Sequence, residues 1–206
     1  NEHVLIPRQD TEILVEEVLK ELHDGMRVLD MCTGSGCILL SLLHYSNDCE
    51  GLGVDLSAEA LEVAGRNVLK VLTPEKAEHA HFLQSDLFEK VEGKFEIIVS
   101  NPPYIASAEV EKLMPEVRDH EPRMALDGTE DGLYFYRRII EEAGKHLVSS
   151  GMLFFEIGYD QGQAVSELMR TEGYCEVQVV QDYAGLDRVV FGTYVTVQPA
   201  PFAKSR

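Results

Sequence analysis

The sequence predicts an α/β fold built on one mostly parallel sheet of seven strands. Three observations predict it: short apolar runs alternate with helix-like segments, a glycine-rich turn follows the first run, and only a short polar turn separates the last two. Alternating strands and helices place helices on both faces of a parallel sheet. A connection as short as the last one joins antiparallel strands, so we expect the final strand to run against the others.

The first half of the chain supplies four of the predicted strands. Residues 1–12 are interpreted as a linker, and the apolar residues of segment 13–22 recur at helical spacing after an acidic start. Ser57 is a candidate N-cap of a later helix, because its hydroxyl can accept a backbone hydrogen bond. The inner face of that helix is predicted to carry Leu61, Ala64, Val68 and Leu72. The four strands are predicted at residues 27–31, 51–55, 81–84 and 95–100.

The second half begins with a long segment, residues 105–131, that is rich in charges and contains two prolines. Segments of this length in compact domains are commonly lids or substrate loops. Helices are predicted at residues 133–147 and 161–172, and strands at residues 152–156, 176–181 and 189–195. We therefore expect one domain over residues 13–197, with residues 198–206 as a loose tail.

The composition restricts the classes of function. The chain has 206 residues, 45% of them hydrophobic, which is enough for one full-sized core. Its net charge of -18 repels phosphate backbones, so nucleic acid is a disfavoured partner. The four cysteines form neither a CxxC pair nor a cluster with histidine, which predicts reduced thiols and no metal. No run is apolar enough to cross a bilayer and no export signal is present, so we expect a cytoplasmic protein without a membrane partner.

The tetrapeptide Asn101-Pro102-Pro103-Tyr104 directly follows the fourth strand. Two prolines stiffen the backbone and leave carbonyl groups free to accept hydrogen bonds. An incoming NH2 group has two hydrogens, of which one can go to the Asn101 side-chain oxygen and the other to the Pro102 carbonyl, with the Tyr104 ring over the amide plane. This pattern predicts a methyltransferase that acts on an amide-like nitrogen.

The glycine-rich turn Thr33-Gly34-Ser35-Gly36 follows the first strand and leads into an apolar helix. The third glycine of a dinucleotide fingerprint is absent, and so is the Gly-Lys-Ser/Thr of a Walker loop. The glycines still allow close backbone approach to a ligand, and the helix offers its positive amino end to a carboxylate. These features suit the methionine end of S-adenosyl-L-methionine, which is the predicted cofactor.

Carboxylates also follow the second and third strands. Asp55 ends the second strand, where it can accept hydrogen bonds from both ribose hydroxyls. Asp86 lies just past the third strand and is a candidate acceptor for the adenine amino group, with Leu87 packing against the ring. The alternative for both carboxylates is a cap of a helix or turn.

For several residues near the predicted site, the sequence allows two roles or assigns none. Asp30 either contacts the ligand or only supports the glycine turn, and Cys32 is interpreted as loop backbone rather than as a reactive thiol. Arg8 and Glu12 form either a wall of the pocket or a surface ion pair. Glu156 ends the fifth strand at the same sheet edge, and the sequence assigns it no role.

Motifs distributed over nearly the whole chain resemble those of the HemK/PrmC protein-glutamine methyltransferase family. They are Ile6-Pro7-Arg8, Leu29-Asp30-Met31-Cys32-Thr33-Gly34-Ser35-Gly36, Ser100-Asn101-Pro102-Pro103-Tyr104-Ile105, Glu121-Pro122 and Ala125-Leu126-Asp127-Gly128. Asn-Pro-Pro-Tyr alone does not identify the family, because adenine and cytosine amino-methyltransferases share it. The Ile-Pro-Arg segment and the segment from Glu121-Pro122 to Asp127-Gly128 narrow the resemblance to this family. Members usually carry a small helical domain ahead of Ile-Pro-Arg, and the sequence starts at that segment, as expected for an excised catalytic domain.

The resemblance implies a class I S-adenosylmethionine-dependent methyltransferase fold, which is Rossmann-like. It also implies, as substrate, the glutamine of the Gly-Gly-Gln motif in class I peptide-chain release factors. Cofactor contacts are implied for Cys32, Thr33, Gly34, Ser35, Gly36, Asp55, Leu87 and Asn101. Substrate contacts are implied for Asn101, Pro102, Pro103 and Tyr104, among which we expect Asn101, Pro102 and Tyr104 to act in catalysis.

Two other functions remain open at this point. An adenine-N6 amino-methyltransferase acting on nucleic acid would present the same two NH2 hydrogens to the tetrapeptide, although the net charge disfavours it. A non-catalytic module that only binds S-adenosylmethionine would need the glycine-rich turn but not Asn101.

Overall fold

A computed structural model of the chain describes residues 3–195, which form one seven-stranded sheet with helices on both faces. The strands are β1 (Arg27–Met31), β2 (Glu50–Asp55), β3 (Ala80–Gln84), β4 (Phe95–Ser100), β5 (Leu147–Glu156), β6 (Tyr174–Gln181) and β7 (Asp187–Tyr194). The helices are α1 (Asp10–Glu21), α2 (Cys37–Tyr45), α3 (Ala58–Val71), α4 (Pro74–Ala77), α5 (Ser107–Val110), α6 (Pro115–Arg118), α7 (Tyr134–Ala143) and α8 (Gly162–Thr171).

The strands are arranged in the order β3-β2-β1-β4-β5-β7-β6. Strands β1 to β5 pair in parallel, whereas β7 is antiparallel to both β5 and β6. The predicted α/β class, the number of strands and the reversed last strand are therefore confirmed. The strand order turns back between β1 and β4, and the carboxyl ends of these two strands border the crevice where such folds bind ligands.

Two buried clusters fill the two faces of the sheet. Successive strand residues point to opposite faces, so Leu29 and Met31 pack with α7 and α8 on one face while Val28 packs with α1 and α2 on the other. The side chains of β4 and β5 also alternate between the two clusters. The sheet is thus covered on both faces, which explains why its inner strands are continuously apolar.

Helix α3 begins where the sequence predicts. The Ser57 hydroxyl accepts a hydrogen bond from the Ala60 amide at 3.1 Å, as a helix N-cap. The buried residues within the helix are Ala60, Val63, Ala64 and Val68. Leu61 was predicted on this face but is only partly buried, because the packed stripe starts one residue earlier at Ala60.

Two elements start at least three residues earlier than predicted. Helix α1 starts at Asp10, inside the predicted linker, and buries Leu14 and Val18. Strand β5 starts at Leu147, a residue predicted to be helical, because Leu147 pairs with Phe95 across the sheet. The register between these strands then shifts, as at a β-bulge.

Segment 105–131 contains α5, α6 and a short 3-10 helix, Arg123–Ala125. Its two ends are hydrogen-bonded to each other: the Ile105 amide donates to the Leu126 carbonyl at 3.0 Å, and the Gly128 amide donates to the Ile105 carbonyl at 2.8 Å. The Ser107 amide donates to the Thr129 carbonyl at 2.8 Å. The segment is therefore a loop with a paired base, held beside the end of β4.

The predicted tail, residues 198–206, lies outside the described residues. Within residues 3–195, no helix is both long enough and apolar enough to span a membrane.

Candidate active site

A cavity of about 280 Å³ lies at the carboxyl edge of the sheet, close to the lower end of the range of about 300–1,000 Å³ for small-molecule sites. It opens where β1, β2, β3 and β4 end. Nine of the predicted site residues line it: Cys32, Thr33, Gly34, Ser35, Asp55, Asp86, Leu87, Asn101 and Pro103. The structure therefore gathers residues from four separate sequence segments around one space.

The glycine-rich turn is held in a left-handed conformation. Cys32, Gly34 and Gly36 have φ values of +61°, +55° and +76°. Cys32 thus adopts the backbone that favours glycine, and burial raises the pKa of its thiol, which supports its interpretation as loop backbone. The Gly36 amide donates to the Thr33 carbonyl at 2.9 Å and its Cα faces α3, so Gly36 lies behind the cavity wall.

Asp30 supports the turn from below. The residue is fully buried, and its Oδ2 accepts hydrogen bonds from the Thr33 hydroxyl at 2.6 Å and from the Leu39 amide at 3.3 Å. It does not line the cavity, and burial raises the pKa of its carboxyl to about 7. Of the two interpretations of Asp30, the geometry therefore favours the supporting role.

Asp55 joins two parts of the cavity wall. Its Oδ2 accepts from the Gly34 amide at 2.8 Å, and its Oδ1 accepts from the Ser57 amide at 2.9 Å. Burial raises the pKa of the carboxyl. Each carboxylate oxygen has two lone-pair positions, so Asp55 fixes the loop and keeps acceptor capacity toward the cavity.

The far wall is formed by Asp86 and Leu87. Asp86 Oδ1 accepts from Arg138 Nη1 at 2.8 Å, so this carboxylate is half of an ion pair as well as a cavity residue. Leu87 is buried and has a φ of +46°. A left-handed backbone at a leucine is uncommon and is typical of functional sites.

The residue directly before the tetrapeptide, Ser100, is hydrogen-bonded to β1. Ser100 donates its hydroxyl hydrogen to the Met31 carbonyl at 2.6 Å, which holds Asn101 next to the glycine-rich turn. Pro102 is buried, and no described residue donates a hydrogen bond to its carbonyl. The Tyr104 carbonyl accepts from Gln161 Nε2 at 3.0 Å. Pro102 and Tyr104 do not line the cavity, and Tyr104 packs against the core.

Glu156 ends β5 beside the tetrapeptide and is 1% exposed. Burial raises the pKa of its carboxyl to about 7, while the nearby side chains of Thr11 and Asn101 and the charge of Arg188 lower it. Its Oε2 has no hydrogen-bond partner among residues 3–195. This is a buried acidic group in contact with a predicted site residue.

The amino-terminal segment and segment 105–131 close the cavity from above. Arg8 donates to Glu121 at 2.5 Å, and the Glu121 side chain is only 3% exposed. Arg8 therefore pairs with segment 105–131, and not with Glu12 as the surface-pair interpretation assumed. Arg8 and Glu12 both line a second, more open groove of about 600 Å³.

Three contributions to the site were missed by reasoning from the sequence. The sequence indicates Ser100 only as the end of a strand, Gln161 only as the start of a helix and Thr11 only as part of a linker. Ser100 and Gln161 could have been found from the sequence, because each is a polar residue at the end of a strand or the start of a helix at the predicted ligand-binding edge. Within residues 3–195, no three His, Cys, Asp or Glu residues are grouped to hold a metal ion.

Comparison with known proteins places this geometry in context. The Methyltransferase small domain family matches residues 8–117, which include β1 to β4 and the tetrapeptide. The release factor glutamine methyltransferase of Thermodesulfovibrio yellowstonii is 45% identical over 192 residues, covering 91% of this chain and 67% of that protein. Its counterpart from Clostridium acetobutylicum is 46% identical, covering 91% and 66%.

A solved structure agrees with these relatives. The protein-(glutamine-N5) methyltransferase (release factor-specific) of Alicyclobacillus acidocaldarius is 30% identical, with a TM-score of 0.54, and the match covers 93% of this chain and 95% of that one. The chain spans about two thirds of the length of the curated relatives it matches.

Proposed function

This chain belongs to the release factor glutamine methyltransferase family, and we propose that it methylates the side-chain amide nitrogen (N5) of the Gly-Gly-Gln glutamine in class I peptide-chain release factors. The observation that carries the proposal is the position of Asn101-Pro102-Pro103-Tyr104. This proline-stiffened acceptor segment directly follows Ser100, which is bonded to β1, and it borders the cavity of the glycine-rich turn.

S-adenosylmethionine, the methyl donor of this family, fits the residues around the cavity. Asp55 has acceptor capacity for a ribose, Leu87 offers an apolar surface for a base, and α2 begins directly behind the glycine-rich turn. We propose these residues, with residues 32–36, Asp86 and Asn101, as the cofactor-binding set. When bound, the cofactor supplies a methyl group activated by a positive sulfonium.

The acceptors of the tetrapeptide fit the difficulty of the reaction. The nitrogen of a glutamine amide is a poor nucleophile, because its lone pair is shared with the carbonyl. The Asn101 side-chain oxygen and the free Pro102 carbonyl can each accept one NH2 hydrogen, and positive charge grows on that nitrogen during transfer. Fixed acceptors stabilise that charge more than they stabilise the neutral amide. A dedicated general base is then not needed before transfer.

Positioning supplies a second large contribution. Holding two reactants in line can lower the barrier by about 7 to 11 kcal/mol. The bond from Ser100 to the Met31 carbonyl and the bond from Gln161 to the Tyr104 carbonyl fix both ends of the tetrapeptide. We propose that segment 105–131, joined to the amino-terminal segment by Arg8 and Glu121, excludes water from this space.

The partner and the location are part of the same proposal. A net charge of -18 suits a protein substrate better than a nucleic acid, and release factors act on the ribosome, so we propose a cytoplasmic enzyme. The adenine-N6 alternative shares the tetrapeptide but lacks this electrostatic support.

The proposal is tested by methyl transfer from labelled S-adenosylmethionine to an intact class I release factor. We expect label on the release factor and none on a variant whose Gly-Gly-Gln glutamine is replaced. Equal label on that variant would contradict the proposed acceptor. Faster methyl transfer to duplex DNA than to the release factor would favour the nucleic acid alternative. Binding of the cofactor without methyl transfer to either would favour a non-catalytic binding module.

A further inference from the structure

Glu156 and Asn101 stand side by side at the carboxyl edge of the sheet. Ser100 of β4 pairs in parallel with Phe155 of β5, so Asn101 and Glu156 are the next residues in the same register. Neighbouring residues in register point to the same face of a sheet. The Asn101 side chain is close enough to lower the pKa of the Glu156 carboxyl, and Glu156 Oε2 is buried with no hydrogen-bond partner among residues 3–195.

Charged and polar groups from five other elements face the Glu156 carboxylate. The nearby Thr11 side chain lowers the pKa of this carboxyl, and Tyr136 donates its hydroxyl hydrogen to the Glu156 backbone carbonyl at 2.9 Å. The charged or titratable groups that act on it or respond to it are Asp10 of α1, Cys37 of α2, Tyr104 after β4, Tyr136 of α7 and Arg188 of β7. Arg188 favours the ionised carboxylate, whereas Asp10 opposes it.

An asparagine side chain can be placed in two orientations that exchange its oxygen and its NH2 group. Only one of them presents an acceptor to an incoming substrate amide. A carboxylate has no hydrogen to donate, so beside an ionised Glu156 the Asn101 NH2 must face the carboxylate and the Asn101 oxygen must face away from it.

We propose that Glu156 is a positioning residue for methyl transfer, which holds the Asn101 NH2 group and thereby directs the Asn101 oxygen toward the substrate NH2. The inference rests on the proposed function, because it uses the acceptor role given there to Asn101. Glu156 does not line the cavity, so it acts through Asn101 and not on the reacting atoms.

Protonation of Glu156 should disturb this arrangement. A protonated carboxyl has an O–H donor and can hold the Asn101 oxygen instead of its NH2. Because burial raises the pKa of Glu156 to about 7, the ionised form is depleted as pH falls below that value. Transfer should therefore slow at acid pH and reach a plateau above about pH 8, since one pH unit above the pKa leaves about a tenth protonated.

The first measurement uses the wild-type chain alone and follows the Asn101 side-chain NH2 resonances by NMR. These signals are assigned by their loss in Asn101→Ala. We expect them to titrate with a midpoint near pH 7, and signals that stay constant between pH 5.5 and 8.5 would overturn the inference. This measurement requires no methyl transfer, so its result can contradict the role of Glu156 without contradicting the proposed function.

The second measurement compares Glu156→Gln with wild type in single-turnover methyl transfer. A glutamine can either donate to or accept from Asn101, so we expect the rate to fall about tenfold to a hundredfold and the inflection near pH 7 to vanish. Affinity for S-adenosylhomocysteine should be unchanged. A wild-type rate with the inflection retained would contradict the role of Glu156.

Two control variants separate orientation from general damage. Glu62→Gln removes the same charge from the exposed face of α3 and should keep both rate and inflection. Gln161→Leu breaks the bond to the Tyr104 carbonyl, so it should lower the rate while retaining the inflection. Loss of the inflection in Gln161→Leu would assign the pH dependence to the loop and not to Glu156.

Discussion

Individual residues around the cavity adopt backbone conformations that their side chains disfavour. Cys32 and Leu87 have left-handed φ values without being glycine, and both line the cavity. Such a conformation costs about 1–2 kcal/mol for an L-residue. The surrounding hydrogen bonds and packing must offset this cost, which means that the position of each wall residue is strongly determined by its neighbours.

At the same scale, Asn101→Ala tests the proposed acceptor. Removing one fixed group that stabilises developing charge typically lowers the rate by about 10² to 10³-fold. We expect a loss of this order in the single-turnover rate of methyl transfer to a release factor. Affinity for S-adenosylhomocysteine, measured by calorimetry, should change far less. Equal losses in rate and affinity would show that Asn101 serves mainly the cofactor.

At the scale of elements, the backbone of segment 105–131 and of the next residue, Gly132, lies in close contact with the tetrapeptide. A Cβ on Gly128 would lie 2.8 Å from both the Pro103 oxygen and the Tyr104 Cα. A Cβ on Gly132, where φ is +73°, would collide with the Tyr104 carbonyl oxygen. These glycines allow the loop and the tetrapeptide to touch backbone to backbone.

Gly132→Ala should therefore displace the tetrapeptide. Misplacement of a reacting group by about 1 Å can lower a rate about 10²-fold, and we expect a loss of this order in kcat/KM. Gly173→Ala is the matched control, because its φ is +89° and nothing lies within 4 Å of the added Cβ. Gly173→Ala should lose about 1–2 kcal/mol of unfolding free energy from backbone strain. Gly132→Ala should lose more, because its Cβ also collides with the Tyr104 carbonyl oxygen. An equal loss of activity in the control would contradict this explanation.

In helix α3, a glycine substitution should raise the unfolding free energy instead of lowering it. Gly65 lies on its exposed face, with no positive φ and nothing within 4 Å of an added Cβ. Glycine inside a helix destabilises it by roughly 0.5–1 kcal/mol relative to alanine. Gly65→Ala should raise the unfolding free energy by that amount in a urea titration, with unchanged activity. A lower midpoint would mean that α3 does not keep its helical geometry in solution.

The elements differ in how well the sequence predicts them. Strand β4 matches its prediction residue for residue, because Phe95–Ser100 is a mostly buried, mostly apolar run that is followed after one residue by a proline pair. Strand β5 was predicted five residues too short, since its early residues include the polar pair Ser149 and Ser150. Ser150 has a φ of +65°, and the neighbouring register shifts, so tertiary pairing outweighs the local pattern there.

In the candidate site, too, some residues can be predicted from the local sequence and others cannot. Asn101 and Asp55 can be predicted because each follows a recognisable strand at the ligand-binding edge. The contact of Glu156 with Asn101 and the ion pair of Arg8 with Glu121 join residues far apart in the chain. Such contacts depend on strand order and loop placement, which local spacing does not specify.

For the whole molecule, acidic groups dominate both the surface and part of the interior. The net charge is -18, and the ionisable groups Asp30 and Glu156 are buried in the fold. Burial raises the pKa of both carboxyls to about 7. Each of them binds a proton more tightly in the folded chain than in the unfolded chain, so the molecule is stabilised by protons in this range.

Folding stability should therefore fall as pH rises from about 4 to about 7. The unfolded carboxyls lose their protons near pH 4 while the folded ones retain them, and the stabilisation disappears once pH exceeds the folded pKa values. For Asp30 the difference corresponds to roughly 4 kcal/mol. Urea titrations across this range should show a smaller decline for Asp30→Asn than for wild type. Asp48→Asn, an exposed control, should decline as wild type does.

The paired base of segment 105–131 has a consequence for how this enzyme can diversify. The bonds from Ile105 to Leu126 and Gly128 close the loop before its outer part begins. Lengthening a closed loop is inexpensive, at about 0.6 kcal/mol for each doubling. Insertions between residues 111 and 120, which are exposed or partly buried and do not include the Arg8–Glu121 pair, should thus cost little and leave the acceptor groups in place. We expect the length and sequence of this exposed rim to vary among related chains, while the acceptor groups beneath it stay in the same place.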